Sequence, residues 1–344
     1  MAALRGAVIG CGFFAMNHLQ AWHDIADVDL VAICDTRPER LKIVGDQFGV
    51  ARRYTDAPAL FADGGFDFVD VATTLPSHKS LVEMAARAGI PVICQKPFAA
   101  TLADGKAMVA TCAAAGVPLM VHENFRWQSP IRAAQQVLAN GDIGDPVWGR
   151  VSFRSGYDVI SGQPYLAEGE RFIVEDLGVH CLDVARFLFG DATSVAATTQ
   201  RVNPKVRGED VATVLLRHGD SVSSIVDCSY VSIQEKEAFP ETILEIDGTQ
   251  GSIRLSLGYR LAVTTKRGAE VRDVSPPLLH WATKPWHNVQ ESVFAIQQHW
   301  VNCLRAGTEP ATSGRDNLKT LALVESVYQS AATKQVVDPD ALLR

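Results

Sequence analysis

Short apolar runs alternate with helical patterns through the first third of the chain. The apolar runs cover residues 7–9, 30–34, 68–72, 90–94 and 119–121, and helical patterns cover 14–24, 38–48 and 77–88. Strands that alternate with helices in this way are typical of βαβ units, in which the strands lie parallel. We therefore predict an α/β domain with a parallel sheet over residues 1–123.

A different pattern follows from residue 124 onward. A helical pattern at 129–139 and a strand pattern at 147–153 are followed by a polar loop at 155–172 and a helical pattern at 174–189. Strand patterns separated by turn signals then follow one another at 194–201, 209–217, 221–231, 241–247, 250–256 and 259–265. Successive strands at such spacing favour an antiparallel sheet. We predict an α+β domain over 124–344 with an open, mainly antiparallel sheet. Two closing helices, at 287–305 and 315–333, are expected to cover this sheet and to pack back on the first domain.

Composition narrows the class of protein. The chain has 344 residues, 47% of them hydrophobic, which is enough for two packed domains. Its net charge of −7 gives no basic surface for nucleic acid or an anionic membrane, and no apolar run reaches the ~18 residues of a membrane helix. The seven cysteines show no CxxC spacing, so we expect them to be core residues of a protein in the reducing cytoplasm.

The turn after the first strand carries a glycine pattern. Gly10 and Gly12 precede Ala15 in a GxGxxA sequence, and Asp35 ends the next strand about 20 residues on. The first glycine permits a tight turn, the second lets a pyrophosphate approach the backbone, and the carboxylate suits a ribose hydroxyl. We predict dinucleotide binding in a Rossmann domain, with NAD as the cofactor. Arg37 leaves NADP possible, because a guanidinium there could pair with a 2′-phosphate.

Two further segments end at the same edge of the predicted sheet. Thr73, Thr74 and His78 follow the fourth strand, where they would line the cofactor, while Ser77 also suits the cap of the next helix. Lys96 follows another buried strand and precedes Pro97, which restricts its backbone. Ligands bind beyond the carboxyl ends of strands in such sheets, so Lys96 either faces a ligand or reaches solvent.

One helical pattern in the second domain, 174–189, carries ionisable residues at helical spacing. Asp176, His180 and Asp183 lie at i, i+4 and i+7, on one face of a regular α-helix. This face could be solvated or structural. It could equally hold a proton-transfer pair, because a carboxylate one turn away can orient an imidazole. The spacing lacks the HExxH pattern of a zinc site, and we expect no metal here.

Taken together, these motifs resemble the glucose-fructose oxidoreductase/inositol dehydrogenase (Gfo/Idh/MocA) family over nearly the whole chain. The segments that carry the resemblance are Gly10-x-Gly12-x-x-Ala15, Gln95-Lys96-Pro97, Asp176-x-x-x-His180-x-x-Asp183 and the strand segment 244–251. The resemblance implies a Rossmann domain, a second domain whose open sheet often forms oligomer contacts, and NAD(P)-dependent oxidation of sugars or cyclitols. A homo-oligomer, either a dimer or a tetramer, is therefore expected.

The resemblance also implies roles for individual residues. His180 would take the proton of a substrate hydroxyl, Lys96 would stabilise the oxygen, and Asp176 would orient the pair, whereas Asp183 suits a sugar-hydroxyl or structural contact. Gln95 stands where the family has a glutamate. This difference removes a negative charge beside Lys96, so the resemblance does not say how the protonation of Lys96 is tuned. The predicted cofactor residues are Gly10, Gly12, Phe13, Phe14, Asp35, Arg37, Thr73, Thr74, Pro76, His78, Gln95, Lys96 and Asn124; the predicted substrate residues are Lys96, Arg126, Trp127, Tyr157, Asp176 and His180.

The segments 122–128 and 155–158 are similar to the aldose-oxidising branch of this family. That similarity implies oxidation of an aldose at its anomeric carbon to a lactone. A cyclitol dehydrogenase, which would form a ketone, and a cofactor-binding regulator without catalysis are the alternatives.

Overall fold

The computed structural model describes residues 2–344 and divides them into two compact units. The first unit comprises the residues up to Glu123 together with Val293–Leu318, and the second comprises Asn124–Ser292 together with Lys319–Arg344. Among the described residues, no helix is long and apolar enough to cross a membrane. All seven cysteines are buried and none of them forms a disulfide, as expected for core residues.

The first unit contains a six-stranded parallel sheet with helices between its strands. The strands are β1 (Leu4–Ile9), β2 (Val28–Cys34), β3 (Arg52–Tyr54), β4 (Phe68–Val71), β5 (Val92–Gln95) and β6 (Leu119–His122), and the helices are α1 (Ala15–Asp24), α2 (Pro38–Gln47), α3 (Ala57–Asp63), α4 (His78–Arg87) and α5 (Leu102–Ala114). The three strands β4 to β6 are buried at every position, because parallel strands are covered on both faces.

The strand order in this sheet is β3-β2-β1-β4-β5-β6, which is that of a Rossmann fold. Strands β2 and β3 lie on one side of β1, and β4 to β6 lie on the other side, so the strand order reverses between β1 and β4. Turns that follow these two strands therefore border the crevice in which dinucleotides bind. The predicted α/β Rossmann class is confirmed.

The second unit is built on an eight-stranded sheet in the order β14-β13-β12-β11-β7-β10-β9-β8. Its strands are β7 (Pro146–Arg154), β8 (Ser194–Gln200), β9 (Val211–His218), β10 (Val222–Ser229), β11 (Ile243–Gly248), β12 (Gly251–Ser256), β13 (Arg260–Thr265) and β14 (Gly268–Asp273). All neighbouring pairs are antiparallel except β7 with β10. The predicted open, mainly antiparallel sheet is confirmed, while the edge strand β14 was missed.

Helices complete the second unit. They are α6 (Ser129–Ala139), α7 (Val159–Gly162), α8 (Val179–Phe189) and α11 (Pro339–Leu343), and two long helices, α9 (His287–Ala306) and α10 (Gly314–Thr333), each contribute residues to both units. One face of the sheet packs on α8, since a Cβ added to Gly149 of β7 would lie 2.2 Å from the ring of Phe189. The opposite face is open, and β9 accordingly alternates buried and exposed residues.

Candidate functional site

The turn after β1 has the geometry that a dinucleotide needs. Gly10 has φ 106°, and a Cβ at this position would lie 2.5 Å from the carbonyl oxygen of Ala72, so only glycine fits. A Cβ added to Gly12 would meet nothing within 4 Å, which leaves open space at the glycine expected to face a pyrophosphate. The neighbouring Phe13 ring is 56% exposed, and Phe14 precedes the first residue of α1.

Asp35, just after β2, is tied to this turn. Its carboxylate accepts hydrogen bonds from the backbone N–H of Cys11 at 2.8 Å and from the backbone N–H and Nε of Arg37 at 2.9 and 3.1 Å. Burial raises the pKa of Asp35, but the hydrogen bonds from Arg37 and Cys11 outweigh burial, so the pKa lies below its ordinary value. Asp35 is therefore a carboxylate at neutral pH.

A second arginine near Asp35 was missed by the sequence reasoning. Arg40 donates from Nε and Nη2 to the carbonyl oxygen of Cys11, at 2.9 and 2.7 Å. Arg40 therefore binds the carbonyl group of Cys11, while Asp35 binds its backbone N–H. The signal was weak, because Arg40 lies in the ordinary pattern of α2.

The turn after β4 contains three of the predicted cofactor residues, Thr73, Thr74 and Pro76. Thr73 and Thr74 lead into a 3₁₀ turn that contains Pro76, and the Ser77 hydroxyl lies 2.7 Å from Oγ1 of Thr73 and 2.9 Å from the carbonyl oxygen of Thr74. Ser77 makes no side-chain hydrogen bond that caps α4, so the capping interpretation was wrong. Its hydroxyl braces the turn that precedes it instead.

His78 requires a second correction. We predicted that its ring lines the cofactor, but the residue is 1% exposed. Nδ1 lies 3.1 Å from the carbonyl oxygen of Pro97, and Nε2 lies 3.1 Å from that of Thr73. The imidazole thus contacts the backbone of two turns.

Lys96 directly follows β5, as the sequence suggested. The side-chain oxygen of Gln95 accepts a hydrogen bond from the backbone N–H of Lys96 at 2.9 Å. A glutamate oxygen could accept the same bond, so glutamine preserves this contact while removing a negative charge beside the lysine. Lys96 is partly exposed, whereas Gln95 is 9% exposed.

In the second unit, the ionisable helix is not regular. Residues Val174–Gly178 form a π-helical turn before α8 begins at Val179. A π-turn winds more residues per turn than an α-helix and occurs frequently at functional sites. The predicted uninterrupted α-helix over 174–189 was therefore wrong. Asp176, His180 and Asp183 consequently have three different environments.

His180 and Asp176 are each held by an aromatic residue. The imidazole of His180 stacks on Phe125, with ring centroids 3.9 Å apart and planes 6° apart, and is 5% exposed. The hydroxyl of Tyr230 lies 3.4 Å from Oδ2 of Asp176. Burial, together with the charge of Asp176, raises the pKa of Tyr230 well above its ordinary value, so this hydroxyl stays protonated and donates. Tyr230 was missed because 54 residues separate it from Asp176.

Asp183 is fully buried and engages Arg126. Nε and Nη2 of Arg126 bind the two carboxylate oxygens at 2.6 and 2.5 Å, and the hydroxyl of Thr320 lies 2.9 Å from Oδ1. Asp183 is therefore a structural contact. The substrate role of Arg126 stays a prediction. Two N–H groups of its guanidinium already donate to Asp183.

Partly exposed aromatic rings lie at Tyr157 and Trp127, which were predicted to bind substrate, and at Trp286. Tyr157 stacks on Phe239 with ring centroids 4.2 Å apart, and Trp286 packs edge-on against Phe239 at 4.8 Å. Aromatic faces and edges of this kind suit the C–H surface of a sugar. Trp127 carries the guanidinium of Arg132 over its ring at 5.1 Å. Asn124 is buried and donates to the hydroxyl of Ser292 at 2.6 Å.

Comparison with known families decides what these features belong to. Residues 4–123 match the model of an oxidoreductase family with an NAD-binding Rossmann fold, and residues 131–254 match the GFO/IDH/MocA C-terminal domain. The chain belongs to the GFO/IDH/MocA family. It is an oxidoreductase of CH–OH groups, and NAD is its cofactor.

Several members of this family resemble the whole chain. It is 63% identical to a D-apiose dehydrogenase from Rhizobium rhizogenes, covering 100% of this chain and 99% of the relative, and 26% identical to an inositol 2-dehydrogenase from Rhizobium meliloti, covering 97% and 98%. A crystal structure of an oxidoreductase from Agrobacterium radiobacter in complex with NAD⁺, L-tartaric acid and magnesium superposes with a TM-score of 0.98 at 63% identity, over 99% of this chain and 100% of that one.

Proposed function

We propose that this chain is a D-apiose dehydrogenase, which oxidises the anomeric carbon of D-apiose to a lactone with NAD⁺. The observation that carries the proposal is identity over nearly the whole chain: two D-apiose dehydrogenases are 63% and 59% identical to it over the aligned residues, whereas an inositol 2-dehydrogenase is 26% identical. The hemiacetal form of the aldose and NAD⁺ give the lactone, NADH and a proton, so atoms and electrons balance.

The first unit would hold the cofactor. Gly12 offers open backbone to the pyrophosphate, and Asp35 offers a carboxylate to the adenosine ribose. Arg37 and Arg40 hold Asp35 and the glycine turn in place. Bound NAD⁺ supplies the hydride acceptor. Phe13, Phe14, Thr73, Thr74, Pro76, Gln95 and Asn124 stay in the predicted cofactor set.

In this proposal, residues of the second unit carry out the proton transfer. His180 would accept the proton of the anomeric hydroxyl, a role that its flat stacking on Phe125 supports because the ring plane is fixed. Asp176, which accepts a hydrogen bond from the Tyr230 hydroxyl, would bind a substrate hydroxyl or steer the imidazole. Lys96 would stabilise the negative charge that develops on the reacting oxygen.

The substrate specificity is tested by a panel of sugars with purified protein. NADH formation is followed by its absorbance with D-apiose, other pentoses, hexoses and myo-inositol, and the product of each active substrate is identified by NMR. We expect the highest kcat/KM with D-apiose and a lactone that opens to an acid. A stable ketone from myo-inositol would indicate a cyclitol dehydrogenase. Binding of NAD⁺ without any turnover would indicate a regulator.

We also propose a homo-oligomer formed through the open face of the second sheet. This face carries a buried carboxylate, Asp227, which is 4% exposed and accepts hydrogen bonds from Arg150 at 2.8 Å and from Ser152 at 3.0 Å. Leu215 on the same face is 52% exposed. Apolar side chains around ordered polar groups are typical of a surface that a second subunit covers.

Light scattering coupled to size exclusion tests the oligomer. Wild type is expected to elute as a dimer or tetramer, and Leu215→Glu is expected to shift it toward smaller species. Ile43→Glu, at a residue 54% exposed on α2, is the matched control and should change nothing. A monomeric wild type would refute the oligomer. Seven buried cysteines without a disulfide suit a cytoplasmic location for such an enzyme.

A further inference from the structure

A buried imidazole joins the two turns that carry the first unit's candidate chemistry. His78 opens α4 and lies between the turn after β4 and the segment that follows β5. Its two ring nitrogens face the carbonyl oxygens of Thr73 and Pro97, each at 3.1 Å. The proton-transfer chemistry described above does not use this ring.

Both partners of the ring are hydrogen-bond acceptors. A neutral imidazole carries one N–H and can donate to one of these carbonyls, whereas an imidazolium can donate to both. Burial lowers the pKa of His78, and hydrogen bonds with the backbone of Thr73, Pro97 and Phe98 oppose that shift. No charged side chain is among the causes of the shift, and the adjacent Lys79 is paired with Asp104 at 2.6 Å.

The position of Lys96 depends on its two neighbours in the chain. On one side, the side chain of Gln95 accepts the backbone N–H of Lys96 at 2.9 Å. On the other side, the carbonyl of Pro97 is the group that Nδ1 of His78 contacts. The backbone that carries the lysine is thus held by a side-chain hydrogen bond immediately before it and another immediately after it.

We propose that His78 is a positioning residue that sets the place of Lys96 by binding the carbonyl group of Pro97, and that it couples this place to the turn at Thr73. In this proposal the ring, which is 1% exposed, acts through the two backbone carbonyls that it contacts. The inference rests on the proposed function for its kinetic test. Misplacement of a reacting group by about 1 Å can cost on the order of 10²-fold in rate, so a small shift of Lys96 is measurable.

Three substitutions separate the two contacts. His78→Asn places an amide nitrogen near the position of Nδ1 and retains a donor toward Pro97. His78→Gln places one near the position of Nε2 and retains a donor toward Thr73. His78→Phe keeps the ring shape and removes both donors. His23→Phe, at an exposed histidine of α1 in the same unit, is the matched control.

Steady-state kinetics should rank these variants. We expect kcat to fall about 10- to 100-fold in His78→Phe and in His78→Gln, and clearly less in His78→Asn, because only asparagine keeps the contact beside Lys96. The Kd for NAD⁺, measured by calorimetry, should stay near that of wild type. His23→Phe should behave as wild type. Equal kcat in the asparagine and glutamine variants, or a higher kcat with glutamine, would overturn the proposal.

Hydrogen–deuterium exchange provides a readout that needs no substrate. In His78→Phe, exchange should rise in the peptides that cover residues 73–78 and 95–98 and remain unchanged elsewhere in the first unit. Faster exchange throughout that unit would mean that His78 only supports the scaffold, which would also overturn the proposal. If wild type oxidises no sugar, the proposed function fails, and the exchange pattern still decides the role of His78.

Discussion

The buried ion pair between Asp183 and Arg126 offers the sharpest test of how the second unit is held together. The side chain of Asp183 is 0% exposed and that of Arg126 is 7% exposed. Asp183→Asn keeps the shape of the side chain but removes its charge. Arg126 then loses the negative charge of Asp183, while Arg186, at 3.8 Å from Asp183, keeps Asp191 at 2.8 Å.

The expected cost follows from this geometry. Removing one partner of a buried ion pair typically costs about 3–5 kcal/mol, because the remaining charge is desolvated without compensation. At about 2–4 °C per kcal/mol, the melting temperature should fall by roughly 6–20 °C. Arg126→Met should cost less, about 1–3 kcal/mol, since Asp183 keeps the Thr320 hydroxyl at 2.9 Å and the nearby Arg186.

A double variant separates stability from substrate binding. Arg126→Met/Asp183→Leu replaces the pair by apolar side chains, which is often neutral for stability, so the melting temperature should recover. If Arg126 also binds substrate, KM of the double variant stays high after stability recovers; if the pair is only structural, KM recovers as well. Thermal unfolding by circular dichroism and steady-state kinetics provide the two readouts. A shift below about 2 °C in Asp183→Asn would refute the reasoning.

The remaining predictions concern the cofactor and the reacting oxygen. Lys96→Ala should lower kcat by about 10²-fold with NAD⁺ affinity nearly unchanged, and near-normal turnover would remove Lys96 from the mechanism. Asp35→Ala should narrow the preference for NAD over NADP in kcat/KM, because Arg37 is then free to pair with a 2′-phosphate; an unchanged ratio would show that Asp35 does not read the ribose. Since the pKa of Asp35 lies below its ordinary value, its contacts should persist above about pH 4 and be lost as the pH falls further, so Kd for NAD⁺ measured by calorimetry should be flat between about pH 5 and 8. Tyr230→Phe should lower kcat by about tenfold at most, as expected for loss of one hydrogen bond to a carboxylate, and no change would place the Tyr230 hydroxyl outside the chemistry.

Much of the fold could be predicted from local patterns. Buried parallel strands appear in the sequence as continuous apolar runs, so β4, β5 and β6 could each be predicted from the sequence. Strand β14 was missed because all six of its residues are exposed and it shows no alternation of buried and exposed positions. The π-turn at Val174–Gly178 was also missed, since one sequence pattern is compatible with both windings.

The sequence by itself determined the Rossmann class of the first unit, the glycine turn at Gly10 and Gly12, and the place of Lys96 at a strand end, because each depends on patterns of residues close together in the chain. Only the tertiary structure decided which partners these residues meet. Arg126 and Asp183 are 57 positions apart, and His78 and Pro97 are 19 apart. A hydrogen bond or an ion pair forms where folding brings two groups within about 3 Å, and spacing along the chain does not encode that distance.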